Sequence, residues 1–547
     1  MEKSAAPVDA KSYDAPPSYD VEHGIGESSE SSQNPLARDL KGRHMQMIAI
    51  GGAIGAGLFV GSGSALSTGG PGSVLLGWLI VGGMLLCTVQ ALGEMAVLYP
   101  VNGAFFTYVV RFVDPSWGFA VGWDYALGWL TVLPFEITAA SITIQFWDPG
   151  NKTINIGVWI TIFLLLLCAI QFFGVRGYGE VEFVLSIIKI VGCIGFIILG
   201  IIIDCGGVPT DNRGYIGAKY WHDPGAFRNG FKGFCSVFVT AAFSFGGTEL
   251  VGLAAAEAAD PRKSIPKATK QVFWRISLFY VLSLFLIGLI VPSDSPDLLN
   301  ATGANTKYSP FVIAMNMAGI KILPSIFNAI ITISVISVAN SCTFGSSRTI
   351  QALAQRGMAP KFLAYVDKKG RPLPTIILQL CFGLLAFINE STNTGSKFFD
   401  WLLALSGLQD FFIWGSICLA HIRFRKAWRL QGHTLEELPY QAGMGLIGSW
   451  IGLFLNCICL VATFYVAIWP PGSSPSASYF FQQFLAGPLI LFFYFSWKLY
   501  SREWKFCVRT RDMDLDTGRR SLDLDSLPPL EPKTWKNFPL RLLHGLF

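Results

Sequence analysis

Charge is scarce in this chain. Asp, Glu, Lys and Arg make up only 14% of its 547 residues, against 52% hydrophobic, and the mean hydropathy is +0.47. A soluble domain needs about a quarter of its residues charged to solvate its surface, so a bilayer is the medium that fits this composition. Histidine is scarcer still, with six residues in tails, loops or at span ends, as with His421. No interior pair is left to ligate haem or a metal, which argues against a membrane redox enzyme. Cysteine is present eleven times, but most copies lie inside apolar runs and only Cys205 falls in an outer loop. They read as small packing residues and not as a disulfide framework. Also missing is a positively charged start followed by a cleavable apolar stretch. Residues 1–44, rich in Ser, Pro, Glu and Asp, read instead as a disordered cytosolic tail.

What the chain has is long apolar runs. Twelve, each near the twenty residues that cross roughly 30 Å of hydrocarbon as a helix, begin close to Met45, Gly72, Gly118, Asn155, Val181, Phe231, Gln271, Leu323, Pro374, Lys397, Leu446 and Phe481. An even number puts both termini on one side. Loops on that side carry fifteen Lys and Arg against seven on the other, which makes the terminal side cytosolic. Three Asn-x-Ser/Thr acceptors, at Asn151, Asn300 and Asn389, all fall in or at the opposite loops, where glycosylation would occur. The net charge of +5 restates the positive inner face and points to no nucleic acid.

Two runs are poor helices. Ile48–Gly63 reads IAIGGAIGAGLFVGSG, sixteen residues with six glycines, and the sixth run contains FSFGGTELVG from Phe243. Glycines of this kind serve close helix packing, or they unwind the chain at mid-membrane, which is tolerated only where the backbone is shielded from lipid. The first and sixth runs open two successive five-helix units, and interrupted segments at corresponding places in two halves point to a transporter's binding site. Amides freed at one half-helix end and carbonyls at another suit a ligand with both a carboxylate and an ammonium. An amino acid is such a ligand.

GGAIGAGLFVGSG, GEMAVLYPVNGAFFTYVVRFVDPSWGFAVGW, FSFGGTE, SRTIQALAQRGMAPK, DWLLALSGLQ and HIRFRKAW follow one another in this chain. In order and spacing they resemble the motifs of fungal amino acid permeases of the amino acid–polyamine–organocation superfamily, over roughly residues 40–515. The resemblance implies an all-α membrane protein of twelve transmembrane helices with a LeuT-type 5+5 inverted repeat. The repeats would cover 45–203 and 231–422, followed by two extra helices at 446–500 and a cytosolic tail at 501–547. It implies no enzyme and no cofactor, but proton-coupled uptake of L-amino acids across the plasma membrane by alternating access. Broad specificity is favoured; a narrow-specificity permease, a receptor-like permease that senses more than it transports, and a channel are the alternatives.

The same resemblance places the substrate along Ala53, Gly55, Ala56 and Gly57 of the first break and Phe243, Ser244, Phe245, Gly246, Thr248 and Glu249 of the sixth. Amides around Gly55–Gly57 would hold the carboxylate, carbonyls near Phe243, Ser244 and Gly246 the ammonium, and the Phe243 ring would gate the pocket. Many relatives have a hydroxyl residue where this chain has Ala56, so only backbone contacts are expected there.

Ionisable groups deep in a span cost several kcal/mol and are functional candidates. Lys189 lies about 12 Å into the fifth run. Desolvated, it would be a switchable internal cation, and in relatives a lysine here is thought to replace a bound sodium ion; snorkelling is the other reading. Glu136, beside Pro134, is a candidate to carry the proton or meet the ammonium, or else bonds to a neighbouring helix. Glu249 reads as a brace for the sixth break. Asp410, in the tenth run, departs from the family and either tunes the side-chain pocket or faces a vestibule. Glu94 and Glu257 sit near inner span ends and read as interfacial. In the tails, Pro16-Pro17-Ser18-Tyr19 resembles a WW-domain ligand, and Lys3, Lys11 and Lys41 are candidate ubiquitination sites, so a ubiquitin ligase or adaptor joins the bilayer and the amino acid as expected partners.

Overall fold

The computed structural model describes residues 36–52, 54–148, 154–299, 309–390 and 395–519. In chain order the α-helices are α1 (Gly42–Gly51), α2 (Ser62–Leu98), α3 (Ala104–Phe112), α4 (Pro115–Ile144), α5 (Ile156–Phe172), α6 (Gly174–Asp204), α7 (Gly230–Phe245), α8 (Leu250–Leu253), α9 (Pro261–Trp274), α10 (Ser283–Ile290), α11 (Pro296–Leu299), α12 (Pro310–Met317), α13 (Leu323–Gln355), α14 (Leu373–Gly383), α15 (Gly395–Leu430), α16 (Gly445–Ile468), α17 (Ala477–Phe484) and α18 (Ala486–Ser501). Among the described residues the only extended pairing is an isolated bridge between Leu40 and Ala258. The fold class is therefore all-α, as the apolar runs require.

Starts and stops follow local chemistry. Pro115 and Pro261 each sit at a first helical position, where a missing N–H costs nothing, behind Asp114 and Asp260, whose carboxylates accept the amides of Trp117 and Lys263. Between the first and second runs the chain turns sharply at Gly70, with φ +81°, a conformation that glycine allows. The turn lies against the outer loop, because a Cβ on Gly70 would be 2.7 Å from the Ala226 carbonyl oxygen.

By length and apolarity, seven helices among the described residues cross a membrane, or eight if α17 and α18, bent by 67°, form one span. The expectation of twelve is thus not reproduced as twelve full-length spans. The first run is divided between α1 and the start of the helix that continues into α2, while α5 and the stretch Leu373–Ile388 are apolar but short. Burial sorts the spans. The broken sixth, Gly230–Glu257, has 89% of its apolar window enclosed, whereas Gly445–Ile468 has 33% and turns Ile447, Trp450, Phe454 and Val461 outward. Unwound backbone is thereby kept away from lipid.

One end of the helix bundle is closed by the last described stretch of the chain. Tyr99 Oη donates to the Leu515 carbonyl (2.7 Å), Arg111 to that of Thr517 (2.7 Å) and Gln431 to that of Met513 (2.8 Å), while Arg423 donates to that of Val508. Met513 and Leu515 are buried in the process. Part of the segment read as a cytosolic tail is therefore packed against the helices.

Candidate functional site

Both glycine-rich runs are broken. α1 ends at Gly51, Ile54 and Gly55 leave helical geometry, and the helix resumes at Ala56 in a wide turn, Gly57–Gly61. α7 stops at Phe245; Gly246 is extended, with ψ 143°, Gly247 has φ +92°, and α8 starts after Glu249. The breaks touch backbone to backbone, since a Cβ on Gly57 would lie 2.6 Å from Ser244 Cα. The two readings of these glycines divide by position: Gly55 belongs to the unwound stretch and Gly57 to the close approach.

A buried cation ties the breaks together. Arg275, fully enclosed at the end of α9, donates from Nη1 to the Ala49 carbonyl at 2.7 Å and from Nη2 to Thr248 Oγ1. It therefore sits at the carbonyl end of α1, where the helix dipole favours positive charge.

Between the breaks lies a narrow cavity. Gly55, Gly57, Phe243, Gly246 and Gly247 supply the backbone side of it. α4 supplies Trp129, Val132 and Glu136, at the i, i+3, i+7 spacing of one helix face, and Val338 comes from α13. α15 supplies Ser406, Gln409 and Asp410. The Phe243 ring stands edge-on to Phe135 with centroids 5.1 Å apart.

The Glu136 carboxyl group stands at the first break, where a Cβ added to Gly55 would lie 3.7 Å from its Oε1; Oε2 has no hydrogen-bond partner although the residue is 1% exposed. A protein carboxyl is thus placed beside the amides expected for the substrate. On the carbonyl side, Ser244's main-chain oxygen accepts Tyr280 Oη at 2.8 Å, and its hydroxyl turns back to Thr240. Phe245 and Thr248 are buried away from the cavity, and Thr248 Oγ1 donates to the Phe245 carbonyl at 2.6 Å. Glu249 accepts the Gly247 amide (3.1 Å), Tyr125 Oη (3.1 Å) and Trp414 Nε1 (3.2 Å), linking the sixth break to α4 and α15. Ala53, Asn151 and Asn300 lie outside the described residues, as does the side chain of Asn389.

The sequence profile of the "Amino acid permease" family matches residues 44–508. The chain belongs to the amino acid permease family. It is 54% identical to the general amino-acid permease GAP1 of Saccharomyces cerevisiae, over 91% of this chain and 83% of that one. It is also 54% identical to the general amino-acid permease GAP2 of Candida albicans (90% and 83%) and 55% identical to the cationic amino acid transporter 1 of Schizosaccharomyces pombe (89% and 82%). Among solved structures, a nucleobase-cation-symport-1 family transporter aligns over 86% of this chain and 96% of its own, with 14% identity and a TM-score of 0.47.

The permease is accordingly a transporter of amino acids and not an enzyme. Its Lys189 is fully buried, with Nζ 3.5 Å from Glu182 Oε1. Glu182 also accepts Ser186 Oγ (3.2 Å) and Ser337 Oγ (2.6 Å), and Ser186 reaches the Met47 carbonyl of α1 at 3.3 Å. Residues 182, 186 and 189 share one face of α6, so the lysine sits in a polar strip joining α1 to α13. Glu182 escaped the sequence reading because it falls beside the start of a span, near Val181. Arg275 escaped for the same reason; the tell-tale was a cation inside an otherwise apolar QVFWRISLFY. Two other acids, near span ends as expected, are enclosed and paired within the protein. Glu94 is fully buried against His421 (3.0 Å) and Arg425 (2.7 Å), and Glu257 is fully buried against Arg348 (2.8 Å), because each meets a base from a neighbouring helix.

Proposed function

We propose that this permease drives amino acids inward by binding one substrate and one proton per cycle, with broad side-chain tolerance, in a plasma membrane with both termini cytosolic. The observation that carries this reading is the buried Glu136 carboxyl group lining the cavity beside the backbone of the first break, 3.7 Å from where a Gly55 Cβ would lie. A substrate carboxylate recognised by the amides of that break meets Glu136. Two carboxylates at one site repel each other strongly, so the second to arrive favours protonation of the first. Substrate binding therefore promotes proton uptake by Glu136, and substrate release lets the proton go. Lys189 stands close enough for its charge to act on Glu136, so the lysine strip biases the same proton.

One proton entering through ~100 mV contributes about 2.3 kcal/mol. Each pH unit adds about 1.4 kcal/mol, and together these support accumulation of several hundred-fold. Orientation is supported by the excess of Lys and Arg in loops on the terminal side; a glycosidase-sensitive mass that disappears when Asn151, Asn300 and Asn389 are replaced would test it. Docking of a ubiquitin ligase or adaptor is supported by Pro16–Tyr19 and the tail lysines.

The deciding experiment is uptake into proteoliposomes under an imposed proton gradient, with competition by all twenty amino acids. Concentrative uptake accompanied by proton entry and inhibited by many side-chain types is expected. Uptake indifferent to the gradient would defeat proton coupling, and inhibition by one or two amino acids would defeat broad specificity.

A further inference from the structure

Asp410 lies one turn before Trp414 on α15, on the face that looks onto the unwound stretch 246–249. It is 4% exposed and lines the cavity, and a methyl group added to Gly246 would lie 2.8 Å from its Oδ2. The neighbouring backbone does not serve it. Gly246 N–H donates to the Ala242 carbonyl at 2.9 Å, and Gly247 N–H to Glu249 at 3.1 Å. The charged groups that act on Asp410 are themselves acids: Glu249, and Asp124 on α4, whose two carboxyl oxygens have no hydrogen-bond partner. Among the described residues lining the cavity there is no Lys, Arg or His.

A carboxylate enclosed without a cation is costly, and two further acids beside it raise that cost. The cation that relieves it must come with the ligand or as a proton. A zwitterionic substrate offers one ammonium, and the carbonyl end of α7 at Phe243 is the place for it. Asp410 is left for a second positive charge, carried at the far end of a side chain, and the Trp129 ring, which also lines the cavity, is a surface on which such a cation rests favourably.

We infer that Asp410 anchors the cationic end of basic side chains, so that lysine- and arginine-like substrates are taken in preference to neutral ones. This rests on the reading of the protein as an amino acid carrier. Neutral amino acids then enter with Asp410 neutralised by a proton, and so bind less tightly.

The test is uptake of labelled lysine and leucine by wild type, Asp410→Asn and Asp410→Glu in cells lacking their own permeases. Asp410→Asn is expected to raise the half-saturation concentration for lysine by about tenfold or more, equivalent to about 1.4 kcal/mol, while that for leucine stays the same or falls. Asp410→Glu keeps the preference for lysine. An unchanged lysine-to-leucine ratio in Asp410→Asn, or a wild type that excludes lysine and arginine while carrying leucine, overturns the inference and leaves the carrier reading intact. Should Asp410→Asn transport nothing, thermal-shift titration of the purified protein decides: selective loss of lysine binding supports the anchor, and parallel loss of both ligands refutes it. A wild type that carries no amino acid sinks both readings.

Discussion

Replacing Lys189 with Met separates two roles that a buried ion pair can play. In the native protein the ammonium and the Glu182 carboxylate are both fully enclosed, 3.5 Å apart. Removing one partner of such a pair typically costs about 3–5 kcal/mol, because the other charge is left buried alone. Here Glu182 keeps the hydroxyls of Ser186 and Ser337, so the lower end of that range, about 3 kcal/mol, is expected for Lys189→Met. Removing both charges, in Glu182→Gln with Lys189→Met, should recover most of it. Melting of the detergent-purified variants at one heating rate reads this part: the single variant falls clearly and the double returns toward wild type. Transport reads the other part. If Lys189 biases the proton on Glu136, both variants lose uphill uptake under a proton gradient while still binding substrate. A double variant that regains stability and concentrative uptake together would refute the coupling role, leaving a lysine that only holds α6 to its neighbours.

Gly57→Ala places a methyl group 2.6 Å from Ser244 Cα and 3.0 Å from its nitrogen, atoms of a backbone that cannot step aside. Overpacking of this kind costs about 1–3 kcal/mol, and uptake should fall sharply, whereas Gly83→Ala, with open space around its Cβ, should behave as wild type; equal activity of the two would refute the close approach. Ending the chain after Cys507 removes the carbonyls that Tyr99, Arg111, Arg423 and Gln431 use, while ending it after Arg519 removes none of them. At roughly 1 kcal/mol net per hydrogen bond, with Met513 and Leu515 also unburied, the shorter chain should be several kcal/mol less stable. Indistinguishable melting of the two truncations would show the segment to be loosely laid on.

Much of the frame was legible because lipid imposes simple rules. Apolar length reveals helices, and paired glycines inside an apolar run reveal where a helix gives way; both breaks lie where GGAIGAG and FSFGGTE stand. Rotation about a helix axis was not legible. Ser244 and Thr248 sit in the right stretch yet bond back to their own backbone, whereas Trp129, Gln409 and Asp410, distant in sequence, face the cavity. Partners across helices were hidden for the same reason. The first break could be read as offering its amides, but nothing local says that Glu136, some eighty residues on, stands beside them. Exact helix length was not legible either: α5 and the stretch Leu373–Ile388 are apolar yet shorter than the other spans.

The clasp formed by residues 508–519 also bears on biosynthesis. It joins the end of α2, at Tyr99, and the end of α3, at Arg111, to the end of α15, at Arg423 and Gln431, using residues the ribosome adds hundreds of positions after the first of these partners. Until residues 508–517 have been added, those donors lack these acceptors. Synthesis through residue 517 is thus written into the surface itself: a chain that reaches it hides Met513 and Leu515 and satisfies those donors, and one that stops before Val508 does neither.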